Sequence, residues 1–413
     1  MKKRILIIAM AAAIGFVIAA CSGTETNGNG TGTNGNGSVV INNNPTYTSP
    51  QPFNDITAAG LVANIKIGWN LGNTFDAAGN TPTGFSWLGG GVYANTSVSQ
   101  MEGAWVNHIT TKANIDTIKN AGFNTIRIPV TWYKAANSNY DVRADWMARI
   151  TEVVNYAVAN DMYVILNSHH DETIFKFTNA EMENSLRAFK RIWQHIAVNF
   201  MNYDERLIFE GLNEPRTKGA PHEWSGGNDE ERANLNRYYQ VFVDTIRASG
   251  GNNDKRILMI NTYAASATPA AMNGLVLPDD TVENKLVVSV HFYEPYNFAL
   301  NTNSNFNTWS RTNSSDTSAI TSRVDRAYDT FVSKGIPVII GEFGAMNKNN
   351  EAVRAEWAEF YVSYAREKGI PCVWWDNGGF QGDGELFGLL NRGNNTFPFP
   401  LVRDALMRGA GVN

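Results

Sequence analysis

Two glutamates each end an apolar stretch, directly before residues that stop a strand. Glu214 closes the run that starts at Leu207 and precedes Pro215, and Glu342 closes a second run. Apolar runs of this length predict buried strands, and proline cannot donate to a sheet ladder. We therefore interpret Glu214 as the last residue of its strand, with Asn213 beside it. Buried strands that deliver one carboxyl each to the same end of a sheet favour paired-carboxylate chemistry.

Glycoside hydrolysis is such a chemistry, because it needs one protonated and one ionised carboxyl group. The apolar strand end predicts a raised pKa for Glu214, which suits a proton donor to the leaving oxygen. Glu342 suits the ionised group that attacks the anomeric carbon if Arg127 and Tyr293 point at it, since a cation and a hydroxyl donor favour the charged form. Trp375 could stack on the sugar.

Apolar runs alternate with amphipathic stretches along the chain, which predicts a single-domain α/β fold, a (β/α)8 TIM barrel. The eight predicted strands are residues 65–69, 125–129, 162–168, 207–213, 256–261, 286–291, 337–342 and 371–375. Gly122, Gly250, Gly335 and Gly369 follow helical stripes and predict left-handed helix ends. An open doubly wound sheet is the alternative, but its glycine-rich nucleotide motif does not follow the first strand.

Polar and aromatic residues gather at the ends of these predicted strands. They are Trp69, Asn70, Arg127, Trp132, Asn167, His169, His170, Asn213, Glu214, Asn261, Tyr263, His291, Tyr293, Glu342, Trp374, Trp375 and Asp376. In a barrel such ends converge on one mouth, so we expect one site there. His169 and His170 suggest a metal, but no third ligand stands at metal spacing in the sequence, which disfavours zinc.

The N-terminus predicts export and a lipid anchor. Residues 1–20 combine a basic start with an apolar stretch that closes on small residues, as in a signal peptide, and Cys21 stands at the cleavage point as in bacterial lipoproteins. An ordinary secretory signal with an incidental cysteine is the alternative. Residues 21–44 are rich in Gly, Asn and Thr and predict a flexible linker. Cys372 lies in an apolar run and predicts a buried, inert thiol.

Residues 45–413 form the predicted globular domain. The chain has a formal net charge of −5, and no run of Lys or Arg follows the signal peptide, which argues against a nucleic-acid partner. The stretch 77–107 is long and glycine-rich, and we expect it at the mouth of the barrel. Its composition does not say whether it is functional or mobile.

The strand-end motifs resemble those of glycoside hydrolase family 5, a retaining cellulase family of clan A. The resemblance is carried by Asn213-Glu214-Pro215 and Gly341-Glu342-Phe343-Gly344, and by residues 68–74, 122–132, 169–170, 291–293 and 374–378. It extends from about Lys66 to Arg392. Residues 243–252 and 261–266 resemble subfamily 4, which holds endoglucanases, mixed-linkage glucanases and xyloglucanases.

The resemblance implies roles for the matching residues. Glu214 would be the acid/base and Glu342 the nucleophile, which Arg127 and Tyr293 would orient and keep ionised. Asn213 would hold the 2-hydroxyl of the sugar. The other implied substrate contacts are His169, His170, His291, Trp132, Asn70, Trp69 and Trp375, the last as a stacking floor. The family needs no metal or organic cofactor.

The sequence departs from the family pattern at the rim of the expected cleft. Residues 102–108 replace a run that more usually ends Trp-Gly-Asn-Pro, and Asn261 stands where proline is commoner. These differences lie where the substrate subsites are expected and leave the expected chemistry unchanged.

The resemblance therefore implies a retaining endo-β-1,4-glucanase for cellulose-type, mixed-linkage or xyloglucan polymers. The N-terminal pattern predicts that it is exported and lipid-anchored, and we expect a tethered enzyme of this kind to be a monomer. A xyloglucan-specific endoglucanase or a β-mannanase is an alternative within the clan. A non-catalytic glycan-binding surface lipoprotein is an alternative of another class. Both glutamates together with Arg127 and Tyr293 argue against it, because a binder has no use for that set.

Overall fold

The fold is a closed barrel of eight parallel strands. The structure is a computed structural model that describes residue 47, residues 49–78 and residues 96–412. Each strand pairs with its neighbours in the chain, and β8 closes on β1. The strands are β1 (Gly68–Leu71), β2 (Thr125–Ile128), β3 (Tyr163–Asn167), β4 (Leu207–Glu210), β5 (Leu258–Ser266), β6 (Leu286–His291), β7 (Val338–Phe343) and β8 (Cys372–Asp376). The predicted (β/α)8 barrel is confirmed.

Helices connect the strands and cover the barrel. They are α1 (Ala58–Asn64), α2 (Val98–Glu102), α3 (Lys112–Asn120), α4 (Ala144–Val158), α5 (Met182–Phe200), α6 (Asp229–Arg247), α7 (Pro269–Asn273), α8 (Tyr296–Ala299), α9 (Ser314–Thr330), α10 (Glu351–Glu367) and α11 (Pro400–Ala410). The four glycines predicted at helix ends all have positive φ, as expected. None of the described helices has the length and apolar character that a membrane span requires.

The inner layer of the barrel is apolar below its mouth. Ile165, Ile208, Met259, Val287, Ile339 and Val373 come from six different strands and form one buried cluster. Helix α1 packs against this cluster through Leu61 and Val62. Because this apolar layer fills one end of the interior, the inward-facing polar groups are left to the opposite, C-terminal end of the strands.

The prediction for the end of β4 is wrong. The strand ends at Glu210, and the chain leaves the sheet at Gly211, whose carbonyl accepts a hydrogen bond from the Trp193 indole. Asn213 and Glu214 therefore lie in the loop above the strand. Strand β1 begins at Gly68 rather than at Ile65, and β5 continues past a register shift to Ser266.

The predicted signal peptide, Cys21 and the linker lie outside the described residues, as do residues 79–95 of the stretch 77–107. The described part of that stretch contains α2, which begins at a Ser97 capping box. Cys372 is fully buried in β8, as predicted, and burial raises the pKa of its thiol, which keeps it protonated and inert.

Candidate active site

A buried arginine, Arg127 of β2, organises the mouth of the barrel. Its Nε lies 2.6 Å from Oε2 of Glu210, and its Nη1 lies 2.7 Å from Oε1 of Glu342. Nη1 also donates to Oδ1 of Asn70 at 2.9 Å, and Nη2 donates to Oδ1 of Asn213 at 2.8 Å. Burial opposes its charge, but Glu210 and Glu342 raise the pKa of Arg127 above its ordinary value. One rigid guanidinium fork thus fixes groups from β1, β4 and β7.

Glu342 of β7 is held by the two partners that the sequence predicts. Besides the Arg127 contact, its Oε2 accepts a hydrogen bond of 2.9 Å from the Tyr293 hydroxyl. Burial and the charge of Glu342 raise the pKa of Tyr293 well above its ordinary value, so the phenol remains a donor. The Glu342 side chain is 6% exposed, which leaves it reachable from the mouth.

Glu214 and Glu342 face one another beside His291. Nδ1 of His291 lies 3.2 Å from Oε1 of Glu214 and 3.7 Å from Oε2 of Glu342. One oxygen of each carboxylate and one nitrogen of the imidazole lie within 4.8 Å of one another. Although one glutamate follows β4 and the other lies in β7, the fold brings them into a single site.

The expected raised pKa of Glu214 is not found. Burial by itself raises the pKa, but the contact with His291 and the positive charge of Arg216 outweigh burial and hold the pKa of Glu214 below its ordinary value. Arg216 lies two residues along the chain, with Nη1 3.3 Å from Oε2 of Glu214. The apolar run indicated burial, but it did not show that His291 and Arg216 contact the carboxylate. In the free protein Glu214 therefore favours the ionised form.

Four aromatic or imidazole rings line the mouth next to the carboxylate pair. His169 stacks on Trp375 with ring centroids 5.6 Å apart and planes 3° apart, and its Nε2 lies 4.0 Å from Glu342. His170 packs edge-on against His169, and Trp105 approaches His170 from the described part of the stretch 77–107. These rings give the mouth an aromatic wall next to its charged centre, an arrangement that suits a sugar ring.

A comparison with known families decides the class of protein. Residues 90–381 match the family model described as Cellulase (glycosyl hydrolase family 5). The chain belongs to glycosyl hydrolase family 5.

The family 5 chain is similar to curated cellulases over most of its length. Endoglucanase A of Clostridium longisporum is 46% identical over 355 residues, which cover 86% of this chain and 66% of that protein. Cellulase/esterase CelE of Acetivibrio thermocellus is 43% identical over 361 residues, which cover 87% of this chain and 41% of that protein. The chain thus spans less than two thirds of the length of either relative.

Solved structures of family 5 proteins share the fold. A GH5-4 broad specificity endoglucanase from Ruminococcus champanellensis with bound cellotriose is 48% identical, with a TM-score of 0.81 and coverage of 86% of this chain and 100% of that chain. A GH5 family lichenase from Caldicellulosiruptor sp. F32 is 41% identical, with a TM-score of 0.80 and coverage of 88% and 97%. The resemblance to family 5, including subfamily 4, is therefore confirmed.

Three residues predicted to contact substrate in this family 5 site are buried supports instead. Trp69 and Trp132 have no exposed surface; their indoles donate to Oδ2 of Asp376 and to the carbonyl of Asn167, respectively. Asn70 is also fully buried and donates to the Gly341 carbonyl, besides accepting from Arg127. Trp132 also lies beyond the end of β2, and all three side chains pack within the wall, where they cannot reach a sugar.

Asp76 lies close to His169 and His170 in the structure, although it is far from them in the sequence. Ligand atoms of Asp76, His169 and His170 lie within 4.8 Å of one another, so the fold places beside the two histidines the third potential ligand that the sequence spacing did not show. The oxygens of Asp76 accept hydrogen bonds from the backbone N–H groups of Asn73 and Thr74. This cluster is thus tied together by the loop that follows β1.

Sequence reasoning also missed two residues that act on the carboxylate pair. Glu210 lies inside an apolar strand, and its role as the counter-ion of Arg127 depends on the pairing of neighbouring strands. Glu385 lies in the loop after β8, where desolvation and the charges of Glu342 and Glu214 raise its pKa. One sequence feature could have indicated Glu210: it is a charged residue within an apolar run, where a buried carboxylate needs a partner.

Proposed function

We propose that this family 5 protein is an endo-β-1,4-glucanase that hydrolyses β-glucan with retention of anomeric configuration. The observation that carries the proposal is the approach of one Glu214 oxygen and one Glu342 oxygen to within 4.8 Å. Retaining glycosidases place their carboxyl groups about 5–5.5 Å apart, whereas inverting enzymes separate them by about 6.5–9.5 Å to admit a water.

In the first step Glu342 is the nucleophile. Its carboxylate attacks the anomeric carbon, the bond from that carbon to the leaving oxygen breaks, and Glu214 gives its proton to the leaving oxygen. Arg127 and Tyr293 hold both oxygens of Glu342, which fixes the direction of attack. The product is a glycosyl ester of Glu342 and a free chain end.

In the second step the ester is hydrolysed. Glu214, now a carboxylate, takes a proton from water while the water oxygen attacks the anomeric carbon, and Glu342 is released. The charge of Glu342 changes between the steps: while ionised it opposes ionisation of Glu214, and once esterified it no longer does. Loss of the Glu342 charge on esterification therefore favours ionised Glu214 and its role as a base in the second step.

The substrate class follows from the relatives. Solved family 5 structures with bound cellotriose or cellotetraose, and names such as broad specificity endoglucanase and lichenase, support cellulose-type and mixed-linkage glucans as substrates. Xyloglucan remains part of the proposal because subfamily 4 includes such enzymes. Export, a lipid anchor at Cys21 and a monomeric state remain predictions of the sequence.

Glu342→Gln is the decisive test. The variant should lose hydrolysis of carboxymethylcellulose and mixed-linkage glucan while still binding cellotetraose, because the amide keeps the shape of the nucleophile but cannot attack. Proton NMR of wild-type products should show the β-anomer first. Reducing-end release by Glu342→Gln at the wild-type rate would refute the assignment, and a wild-type protein that binds without cleaving would be a glycan-binding lipoprotein. A panel with xyloglucan and mannan, read by product analysis, separates the remaining specificities.

A further inference from the structure

Arg216, which directly follows the acid/base motif, contacts several acidic groups of the mouth. Its Nη1 donates to the backbone carbonyl of Glu214 at 2.8 Å and lies 3.3 Å from Oε2 of the same residue. Its Nε donates to Oε1 of Glu223 at 2.9 Å, and its Nη1 lies 3.5 Å from Glu172. Its side chain is only 9% exposed, so these charged contacts are weakly screened by water.

The same guanidinium packs on an exposed tryptophan. The Cζ of Arg216 lies 4.3 Å from the ring centroid of Trp224, and Trp224 is 58% exposed. A hydrogen bond within the loop holds the residues next to this ring in place. The backbone N–H of Gly219 donates to Oε2 of Glu223, the second oxygen of that carboxylate, at 2.7 Å. A rigid ring with one face on a cation presents its other surface to an apolar partner, such as the face of a sugar.

We propose that Arg216 is a positioning residue that joins a sugar-binding platform, Trp224, to the acid/base carboxyl of Glu214 on the aglycone side of the cleft. The proposal rests on the function proposed above. Glu214 protonates the oxygen of the departing chain, so a ring tied to Glu214 through one arginine lies where that chain leaves. Trp375 and His169, in contrast, stand beside Glu342 at the cleavage subsite.

Arg216 acts on Glu214 through both geometry and charge. It holds Oε2 and the backbone of Glu214, while His291 contacts Oε1, so the carboxyl is fixed from two directions. Burial raises the pKa of Glu214, and Arg216 is one of the groups that outweigh burial. The charged groups around Arg216 are Glu214, Glu172 and Glu223, with Lys218 and His170 in contact with Glu172.

Leaving-group dependence tests the effect on Glu214. The substrates are aryl β-cellobiosides, whose leaving groups range from dinitrophenol, which needs no proton, to phenol, which needs one. The enzymes to compare are wild type, Glu214→Gln, Arg216→Met and Arg216→Lys. Arg216→Met should lose about tenfold to a hundredfold in kcat/KM on the phenyl substrate, the worth of a charge-assisted contact, and much less on the dinitrophenyl substrate. Arg216→Lys should lie between the two, because it keeps the charge without the fork.

The pH dependence of kcat/KM provides a second test with the same variants. The basic limb of kcat/KM reports the essential acid of the free enzyme. Loss of Arg216 removes a cation and frees the charges of Glu172 and Glu223, so the basic limb should move to higher pH. An equal loss on all aryl substrates, or an unmoved basic limb in Arg216→Met, would show a merely structural role and overturn the proposal.

The platform is tested by acceptor binding to a trapped enzyme. A 2-deoxy-2-fluoro-cellobiosyl fluoride should form the ester on Glu342, and added cellobiose should speed its release by accepting the glycosyl group. Trp224→Ala should need about tenfold more cellobiose for half-maximal release than wild type does, and Trp224→Phe should restore most of the affinity. Val198→Ala, a change at an equally exposed residue of α5, is the control.

The outcomes separate this inference from the function on which it rests. An identical cellobiose dependence in wild type and Trp224→Ala would overturn the platform while the trapped ester still supports the retaining mechanism. A wild-type enzyme that forms no ester, or a Glu214→Gln variant without leaving-group dependence, would overturn the mechanism and this inference together.

Discussion

Nε of Arg127 lies 2.6 Å from Oε2 of Glu210, and neither side chain has any exposed surface. The opposite end of the same guanidinium reaches Oε1 of Glu342. Glu210 therefore supplies the fixed counter-charge for the cation that positions the nucleophile, while its other oxygen accepts from Nδ2 of Asn261. The asparagine that departs from the family pattern is thus part of the support beneath the site.

Glu210→Gln should lower the free energy of unfolding by about 3–5 kcal/mol, because it removes one partner of a buried ion pair. Urea denaturation of wild type and variant measures the change. Asp145→Asn removes a half-exposed partner of Arg143 and serves as the control, with an expected loss below about 1 kcal/mol. Equal losses in the two variants would contradict the proposed importance of the buried pair.

Tyr293→Phe should reduce kcat/KM about tenfold to a hundredfold, because a hydrogen bond to a charged group contributes about 1.5–3 kcal/mol. The lost donor is the hydroxyl 2.9 Å from Glu342. Tyr364→Phe is the matched control, since that hydroxyl bonds only to Asp325 on the outer helices among the contacts described for it. A Tyr293→Phe enzyme as fast as the control would mean that Arg127 alone orients the nucleophile.

Asn213→Ala tests the proposed contact with the sugar 2-hydroxyl. Oδ1 of Asn213 accepts from Arg127, so the amide nitrogen points away from the arginine and can donate to a substrate. The variant should lose at least about tenfold in kcat/KM on a normal cellobioside and much less on its 2-deoxy analogue, because the two changes remove the same interaction. Equal losses on both substrates would assign Asn213 to the support of Arg127 only.

Glu172→Gln should change the pH dependence of stability. Burial opposes ionisation, but the contact with His170 and the charges of Lys218 and Arg216 lower the pKa of Glu172 to about 2 from its ordinary value of 4.5. Since the folded pKa is the lower one, this contribution is complete above the unfolded pKa and is lost as pH falls toward 2.

The measurement is the free energy of unfolding of wild type and Glu172→Gln between about pH 6 and about pH 3. The advantage of wild type should shrink as the pH falls. Glu283→Gln, at an exposed position, should show no such trend relative to wild type. A constant difference between wild type and Glu172→Gln across this range would disprove the lowered pKa.

Motifs within single strands were enough to predict the partners of the nucleophile. Arg127, Tyr293 and Glu342 could be named because each stands at or near the end of an apolar run, and parallel strand ends meet at one mouth. The sequence also predicted the left-handed helix ends, since glycine tolerates positive φ with no steric penalty. It could not separate Trp132, which packs inside the wall, from Trp375, which lines the mouth, because both are aromatic residues near strand ends.

By itself the sequence determined the barrel, the family and the two glutamates, because hydrophobic periodicity and short motifs are local properties of the chain. Only the tertiary structure decided which charges surround each glutamate. Glu210 contacts Arg127 across a sequence separation of 83 residues, and His291 contacts Glu214 across 77. Electrostatic effects depend on distance and burial in three dimensions, so the lowered pKa of Glu214 emerges only once the strands have closed.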